Sequence, residues 1–171
     1  MTNYIVDAKF CNDRSITDKK IYNLEYKLNQ DIFYSAYIRI YQNSDKVVTL
    51  KCSNDIRDQF STTSSRGNAK LTYPVALITA DEVALAGGKY NVKNANYYLQ
   101  TNEYFWTLTP AFFASPYVHA YVWNVDYLGA LNRWNSVSYL MNLRAVINIR
   151  SDVLISSGDG TIESPYQLAL Y

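Results

Sequence analysis

The sequence predicts an α+β domain in which helices fill the first half and an antiparallel, strand-rich second half carries the exposed chemistry. Three observations predict it. Ile32, Ala36 and Ile40 recur at i, i+4 and i+8, a helical stripe flanked by Phe33 and Tyr37. Thr79-Ala80-Asp81-Glu82 is a T-x-x-E capping box that opens a short helix stopped by Gly87-Gly88. Beyond residue 90 the chain turns to β-branched and aromatic runs separated by turn residues.

Taken in order, residues 22 to 43 suit a helix that ends at Asn43-Ser44-Asp45. Val47 to Cys52 (VVTLKC) reads as extended, and Ser53 to Asn68 as a polar surface loop. Leu71 to Ile78 is an extended run with Pro74 in its first half. Asp81 and Glu82 could be mistaken for a catalytic carboxylate pair. As first-turn residues facing the helix dipole they need no catalytic role. Residues 97 to 100 (YYLQ), 104 to 110 (YFWTLTP), 116 to 143 and 144 to 156 are strand-like. Val146, Ile147 and Ile149 are expected to pair with Val153, Leu154 and Ile155 in the core sheet. Asp126 to Gly129 and Ser157 to Gly160 are the clearest turns.

Length and composition bound the function. At 171 residues the chain suits one domain that buries roughly 70% of its unfolded surface. Hydrophobic residues make up 49% and charged ones 18%, so it is expected to fold rather than remain disordered. The net charge is +1, without the basic stripe a phosphate backbone requires, so nucleic acid is not an expected partner. Apolar runs of a few residues exclude a helical membrane span. The N-terminus has no basic n-region or apolar h-region, which leaves a cytoplasmic protein or the soluble end of a longer chain. There are 17 Tyr against 6 Phe. A buried phenol needs a hydrogen-bond partner, so the surplus points to a surface both wet and aromatic.

That surface is expected between Pro116 and Leu143. Val118, Val122, Val125, Leu131, Val137 and Leu143 serve as apolar anchors, joined by Trp123. The intervening slots offer Tyr117, His119, Tyr121, Asp126, Tyr127, Leu128, Ala130, Asn132, Arg133, Trp134, Asn135, Ser136, Ser138, Tyr139 and Leu140 as ligand contacts. Tyr and Trp supply stiff amphipathic area, and Ser and Asn supply adaptable hydrogen bonding. Trp106 and Trp123 read as scaffold. Trp134, between Arg133 and Asn135, reads either as core or as an exposed hot spot.

Recognisable catalytic chemistry is missing from the sequence. With one histidine, His119, neither a multi-His metal site nor a marked triad is available, and no metal or cofactor is expected. There is no phosphate loop, dinucleotide fingerprint or nucleophile elbow. The Gly-Asp-Gly-Thr stretch ending at Thr161 lacks the spaced acids of a calcium loop. Cys11 and Cys52 read equally as two buried thiols or as one disulfide, which would close a loop of roughly 42 residues.

Several segments carry a family resemblance: FCNDRS (10–15), TLKC (49–52), KLTYPVALITADEVALAGG (70–88), YYLQTNEYFWTLTP (97–110), VWNV (122–125) and RAVINIRSDVLISSGDGTIESPYQL (144–168). From about Phe10 onward the chain resembles secreted or surface-displayed domains of gut-type Firmicutes, often carried behind a prepilin-like or other membrane-targeting N-terminus. These are similar to the C-type-lectin-fold variable proteins of diversity-generating retroelements, and share a fold with formylglycine-generating enzymes. Arg144-Ala145 stands where the family usually has Arg-Pro, and Asn142 where Gly is usual.

The resemblance implies a C-type lectin-like fold and a variable segment at about 116–143. In such proteins template Asn codons scatter into Asn, Tyr, Asp, His, Ser, Ala, Leu and Arg, the set found in the slots; Trp134 and Met141 need another template codon. It further implies a Cys11–Cys52 disulfide and a ligand-binding display domain, adhesin- or receptor-like. That domain would be secreted or at the cell surface as part of a longer membrane-targeted chain. Its partner would be a protein or glycan on another cell or on a phage or host surface. The alternative is a minor pilin or surface-assembly subunit with a pilus or surface-anchor partner. An oxidase analogous to formylglycine-generating enzymes is not expected, because Cys11 and Cys52 lie far in sequence from the aromatic segment.

Overall fold

Phe105 to Ala114 is a run of aromatic, β-branched and small residues whose burial alternates with a period of two as far as Ala111, which makes it a ten-residue strand half-buried against the core. The computed structural model describes residues 4–16, 31–41, 48–52, 58–65, 70–114, 119–161 and 163–169. In chain order the elements are β1 (Phe10–Cys11), β2 (Ile32–Phe33), α1 (Ser35–Tyr41), β3 (Gln59–Phe60), β4 (Ala76–Leu77) and α2 (Ala80–Leu85). They continue with β5 (Phe105–Ala114), β6 (His119–Val125), β7 (Leu131–Asn132), β8 (Asn142–Leu143), β9 (Ala145–Val146), β10 (Ile155–Ser157) and β11 (Gln167–Leu168). The fold is α+β, mostly strands, with two helices among the described residues.

The main sheet runs β2-β5-β6-β7, antiparallel throughout, and β8 joins β5 in parallel. The β5–β6 register shifts on either side of Pro110. A proline has no N–H for the ladder, so it is tolerated at such an irregularity, which also bends the strand. Both helices pack on this sheet. Tyr37 and Ile40 of α1 and Val83 of α2 meet Phe105, Phe112, Trp123, Val125 and Leu131 in one buried cluster. The buried hydroxyls of β5 are satisfied: Thr107 donates to the Trp123 carbonyl at 2.7 Å, and Thr109 accepts from the Ala80 N–H at 2.9 Å. The second bond holds the start of α2 on the sheet.

The capping box forms as the sequence predicts. Thr79 accepts from the Glu82 N–H at 3.1 Å, and Glu82 accepts from the Thr79 N–H at 2.7 Å. At the other end Gly88 N–H reaches the Val83 carbonyl and Gly87 N–H the Ala84 carbonyl, a double cap that Gly87 allows at φ +113°. Asp81 does more than face the dipole. It accepts from Arg39 Nη2 at 2.8 Å, while Arg39 Nη1 reaches Asp13 at 2.6 Å, so one guanidinium ties α1, α2 and the N-terminal segment together.

Several sequence expectations are corrected. The helix expected over 22–43 is confined, in the described residues, to Ser35–Tyr41; residues 17–30 and 42–47 lie outside them. Ile32 and Phe33 instead form a strand, because β5 offers them backbone partners at Phe113 and Phe112. The helical stripe survives only as buried Ala36, Tyr37 and Ile40. The segment 48–52 forms no strand; the Thr49 N–H is taken by the Asp81 carboxylate at 3.2 Å. Of the expected loop, residues 53–57 and 66–69 lie outside the described set, but Gln59–Phe60 pairs with Cys11 and Phe10. Only Ala76–Leu77 of the 71–78 run is a strand, and residues 97–100 form turns that bury Tyr97 and Leu99. Val146 pairs with Ala76 and Ile155 with Leu168, so the expected pairing within 144–156 does not occur. Ile147, Ile149, Leu154 and Ile155 are exposed.

Cys11 and Cys52 form a disulfide with Cα atoms 4.9 Å apart. By the chain-entropy argument its reduction should lower stability by about 4 kcal/mol. Denaturation with and without reductant, or of Cys11→Ser/Cys52→Ser, tests this, and an unchanged midpoint would contradict it.

Candidate functional site

Strand β6 sets the geometry of the site. His119, Tyr121, Trp123 and Val125 follow one another on one side of the strand. Burial deepens along it: His119 is exposed, Tyr121 half-buried, and Trp123 and Val125 fully buried. The strand therefore rises out of the core, and its exposed start is where side chains can meet a ligand. Ser136 bridges to Tyr121, and the Val137 N–H donates to the Ala120 carbonyl at 3.0 Å, which fixes the 134–139 segment beside that exposed end.

The result is an open depression of about 360 Å³ lined by His119, Tyr121, Trp134, Ser136, Ser138 and Tyr139. Tyr121 is stacked flat on Phe112, with centroids 4.2 Å apart and planes 6° apart, so its pose is set from beneath. Ser138 Oγ donates to Ser136 Oγ at 3.2 Å. Trp134 is 59% exposed, and its indole Nε1 donates to the Tyr90 hydroxyl at 3.2 Å. Of its two readings, the exposed one holds.

Arg133 is the principal departure from the expected contact set. It is 3% exposed. Its guanidinium carbon lies 3.9 Å from the Trp134 ring, 4.0 Å from Tyr41, 4.6 Å from Tyr37, 5.3 Å from Tyr90 and 5.9 Å from Phe112. Five aromatic faces thus surround one cation, an arrangement held by cation–π attraction. Among the described residues its Nε has no hydrogen-bond partner and no carboxylate pairs with it. The Arg133 and Trp134 N–H groups both donate to Asn132 Oδ1, at 2.7 and 3.1 Å. This local turn directs the two neighbouring side chains to different places, arginine inward and indole outward.

The remaining predicted contacts fall into a separate group around the 126–130 turn. Asp126 Oδ1 accepts from the N–H groups of Leu128 at 2.9 Å and Ala130 at 3.0 Å, so this carboxylate builds the turn. Leu128 is half-buried and Ala130 buried. Tyr127 is exposed, its ring 5.5 Å from that of Tyr104. Asn135 donates to buried Asn124 at 3.4 Å. Leu140 is 100% exposed, and Tyr117 and Val118 lie outside the described residues. Val137 and Leu143 are not anchors: they are 54% and 68% exposed, Val137 past the bridge at Ser136 and Leu143 on the short strand β8, both of whose residues are exposed. Of the expected contacts, Ala130, Arg133 and Ser136 are buried, and of these only Ser136 lines the depression.

The turn depends on Gly129, at φ +80°. A Cβ there would stand 2.3 Å from the Asn94 carbonyl oxygen and 2.9 Å from the Tyr97 ring. The Tyr97 hydroxyl donates to the Gly129 carbonyl at 2.9 Å, and burial raises its pKa to about 12. Gly129→Ala is expected to cost more than about 2 kcal/mol, from backbone strain and the clash together. A urea midpoint within error of wild type would refute this.

No group of His, Cys, Asp or Glu suited to a metal occurs among the described residues, and none of their helices is long and apolar enough to cross a membrane. A second cavity of about 190 Å³ lies between the N-terminal segment and α2. Its carboxylates Asp13, Asp81 and Glu82 are occupied by the structural bonds already described. Sequence reasoning missed Tyr37, Tyr41, Tyr90 and Phe112 as the walls around Arg133, though the tyrosine excess was their trace. No protein-family model, curated protein or solved structure matches the chain.

Proposed function

We propose that the chain is a ligand-binding display domain of C-type lectin-like fold, adhesin- or receptor-like, whose C-terminal segment is diversified by a retroelement. The observation that carries the reading is the open groove of His119, Tyr121, Trp134, Ser136, Ser138 and Tyr139 on a rigid sheet. His119, Trp134, Ser138 and Tyr139 are exposed there, while Tyr121 is fixed by stacking on Phe112. Such preorganisation is what a binding surface needs to limit the entropy cost of association. The family resemblance supports the fold, the diversification and a surface location within a longer membrane-targeted chain. The ligand on this reading is a protein or glycan of another cell, or of a phage or host surface. No step of chemistry is asked of the groove.

The reading sorts the expected contacts by consequence. Tyr139→Ala should abolish binding to a selected ligand and leave stability within about 0.5 kcal/mol, as for an exposed position. Trp134→Ala should abolish binding and also cost about 1 kcal/mol, because it uncovers the Arg133 guanidinium. Ligand capture from a displayed glycan and protein library, followed by thermal denaturation of each variant, measures both. Binding unaffected by either substitution would sink the groove as the site. At the gene, a neighbouring reverse transcriptase with an adenine-rich near-repeat of the 116–143 coding segment is the expected sign of diversification.

A second reading, a minor pilin or surface-assembly subunit, draws on the exposed Leu140, Leu143, Leu154 and Ile155. Concentration-dependent self-association of the chain that is lost on Leu140→Ser/Leu143→Ser would favour it over ligand display.

A further inference from the structure

We propose that the groove takes a carboxylate-bearing sugar ring, drawn by the caged guanidinium of Arg133 beneath the Trp134 wall. This rests on the groove being the ligand site and names the class of ligand it selects.

The argument begins with the cage. Arg133 lies 3.9 Å from the Trp134 ring and is buried, whereas Trp134 is largely exposed and lines the groove. The inner face of the indole therefore carries the cation, and the outer face is offered to the ligand. Phe112 is 5.9 Å from the same guanidinium and stacks directly under Tyr121, the second aromatic of the groove. Trp134 thus stands directly against one fixed positive charge, and Tyr121 rests on Phe112, a ring that faces the same charge. Arginine stays protonated at any ordinary pH, so the charge is permanent.

No compensating carboxylate pairs with it among the described residues, and none of the residues lining the groove is acidic. Ring faces repay part of the desolvation of a buried guanidinium, but they leave its net charge in place. Its field reaches the groove through low-dielectric rings rather than through water, where it acts more strongly. A cationic ligand stacked on the outer face of Trp134 would meet an indole already polarised toward Arg133, and would be repelled. An anionic ligand is attracted.

The shape and donors then choose among anions. The exposed faces of Trp134 and Tyr139 offer stacking to a ring with an apolar side, and Ser136 and Ser138 offer hydroxyls that both donate and accept. A volume of about 360 Å³ suits a compact ring ligand rather than a long segment. A pyranose bearing a carboxylate joins an apolar face, several hydroxyls and one negative charge in a single ring. An acidic peptide offers the charge without the ring face or the hydroxyls.

The experiment uses the full chain and four probes: 3′-sialyllactose, lactose, a glucosamine trimer and a hexaglutamate peptide. Binding is measured by ligand-observed NMR and titration calorimetry. Sialyllactose is expected to bind at least about tenfold tighter than lactose at roughly 50 mM salt, with the glucosamine trimer weakest. The preference should shrink as salt rises. Arg133→Met should bring the two lactose-based probes to equal affinity, and Arg133→Lys should keep sialyllactose ahead. If Arg133→Met does not fold, the salt dependence of the wild-type preference decides. Equal affinity of the wild type for sialyllactose and lactose, stronger binding of the cationic trimer, or binding of hexaglutamate alone would overturn the proposal. So would no binding of any saccharide. If saccharides bind but Tyr139→Ala and Trp134→Ala leave that binding intact, the groove itself is wrong, a different failure from a lost charge preference.

Discussion

Replacing Trp123 with alanine is expected to lower the unfolding free energy by about 4 kcal/mol, a large part of the roughly 5–15 kcal/mol that holds a domain folded. Trp123 is 0% exposed, and its ring packs edge-on to Tyr90 at 5.9 Å. Removing it leaves a cavity between β5, β6 and α1 that rigid strands cannot close. The effect should reach the groove as well. Tyr90 is the residue that accepts the Trp134 indole N–H, so loss of its packing partner loosens the groove wall. Trp123→Phe is the informative companion. Among the described residues the buried Trp123 Nε1 has no hydrogen-bond partner, and phenylalanine removes that orphan donor while keeping most of the ring. Its cost should be well below that of alanine. Equal costs for the two would show that filling this space with a ring contributes nothing, against the packing argument.

Arg39→Ala is the second large effect, expected at about 4 kcal/mol, because it strands two carboxylates that share one guanidinium. The side chains of Arg39, Asp13 and Asp81 are only 18%, 17% and 7% exposed. The same network has a pH signature. Burial pushes the Asp13 carboxyl upward, but bonds from Ser15 and Arg39 and the nearby positive charge outweigh it and hold the group below its ordinary 3.8. A depressed folded-state value means the stabilising contribution is present above that ordinary value and is lost as pH falls through the folded one. Stability of the wild type should therefore decline below about pH 4, and Asp13→Asn should be less stable at neutral pH and decline less. Parallel acid limbs for the two proteins would contradict the assignment.

How much of this was legible beforehand depends on the range of the interaction. The α2 cap was legible to the residue, because Thr79 and Glu82 satisfy each other across three positions and no distant partner competes. The turn at Asp126 to Gly129 was equally local, whereas Ser157 ends β10 and the chain reverses beyond Gly160, where the Asp159 and Gly160 N–H groups donate to the Ser164 carbonyl. Strand β6 was found but its faces were misread: alternation was expected, whereas burial increases along the strand as it enters the core. Ile32 and Phe33 carry helical spacing and still form a strand, because β5 supplies hydrogen-bond partners that no local pattern encodes. Val137 and Leu143 looked like anchors by composition alone, yet both side chains are exposed, Leu143 even though its backbone pairs with β5.

What the sequence alone determined is the chemistry available to the 116–143 segment: aromatic faces, hydroxyls and amides, with one histidine. It also determined the mixed α+β class, since the capping box and the β-rich second half are read from short windows. Tertiary structure alone decided which of those side chains reach solvent. Arg133 and Trp134 are adjacent and were both expected as ligand contacts, yet one is enclosed by Tyr37, Tyr41, Tyr90 and Phe112 and the other is exposed. The physical reason is that a guanidinium without a carboxylate partner leaves water only where other groups compensate it, here several converging ring faces. Those rings come from α1, the segment after α2 and β5, whose meeting is set by the packing of the whole fold.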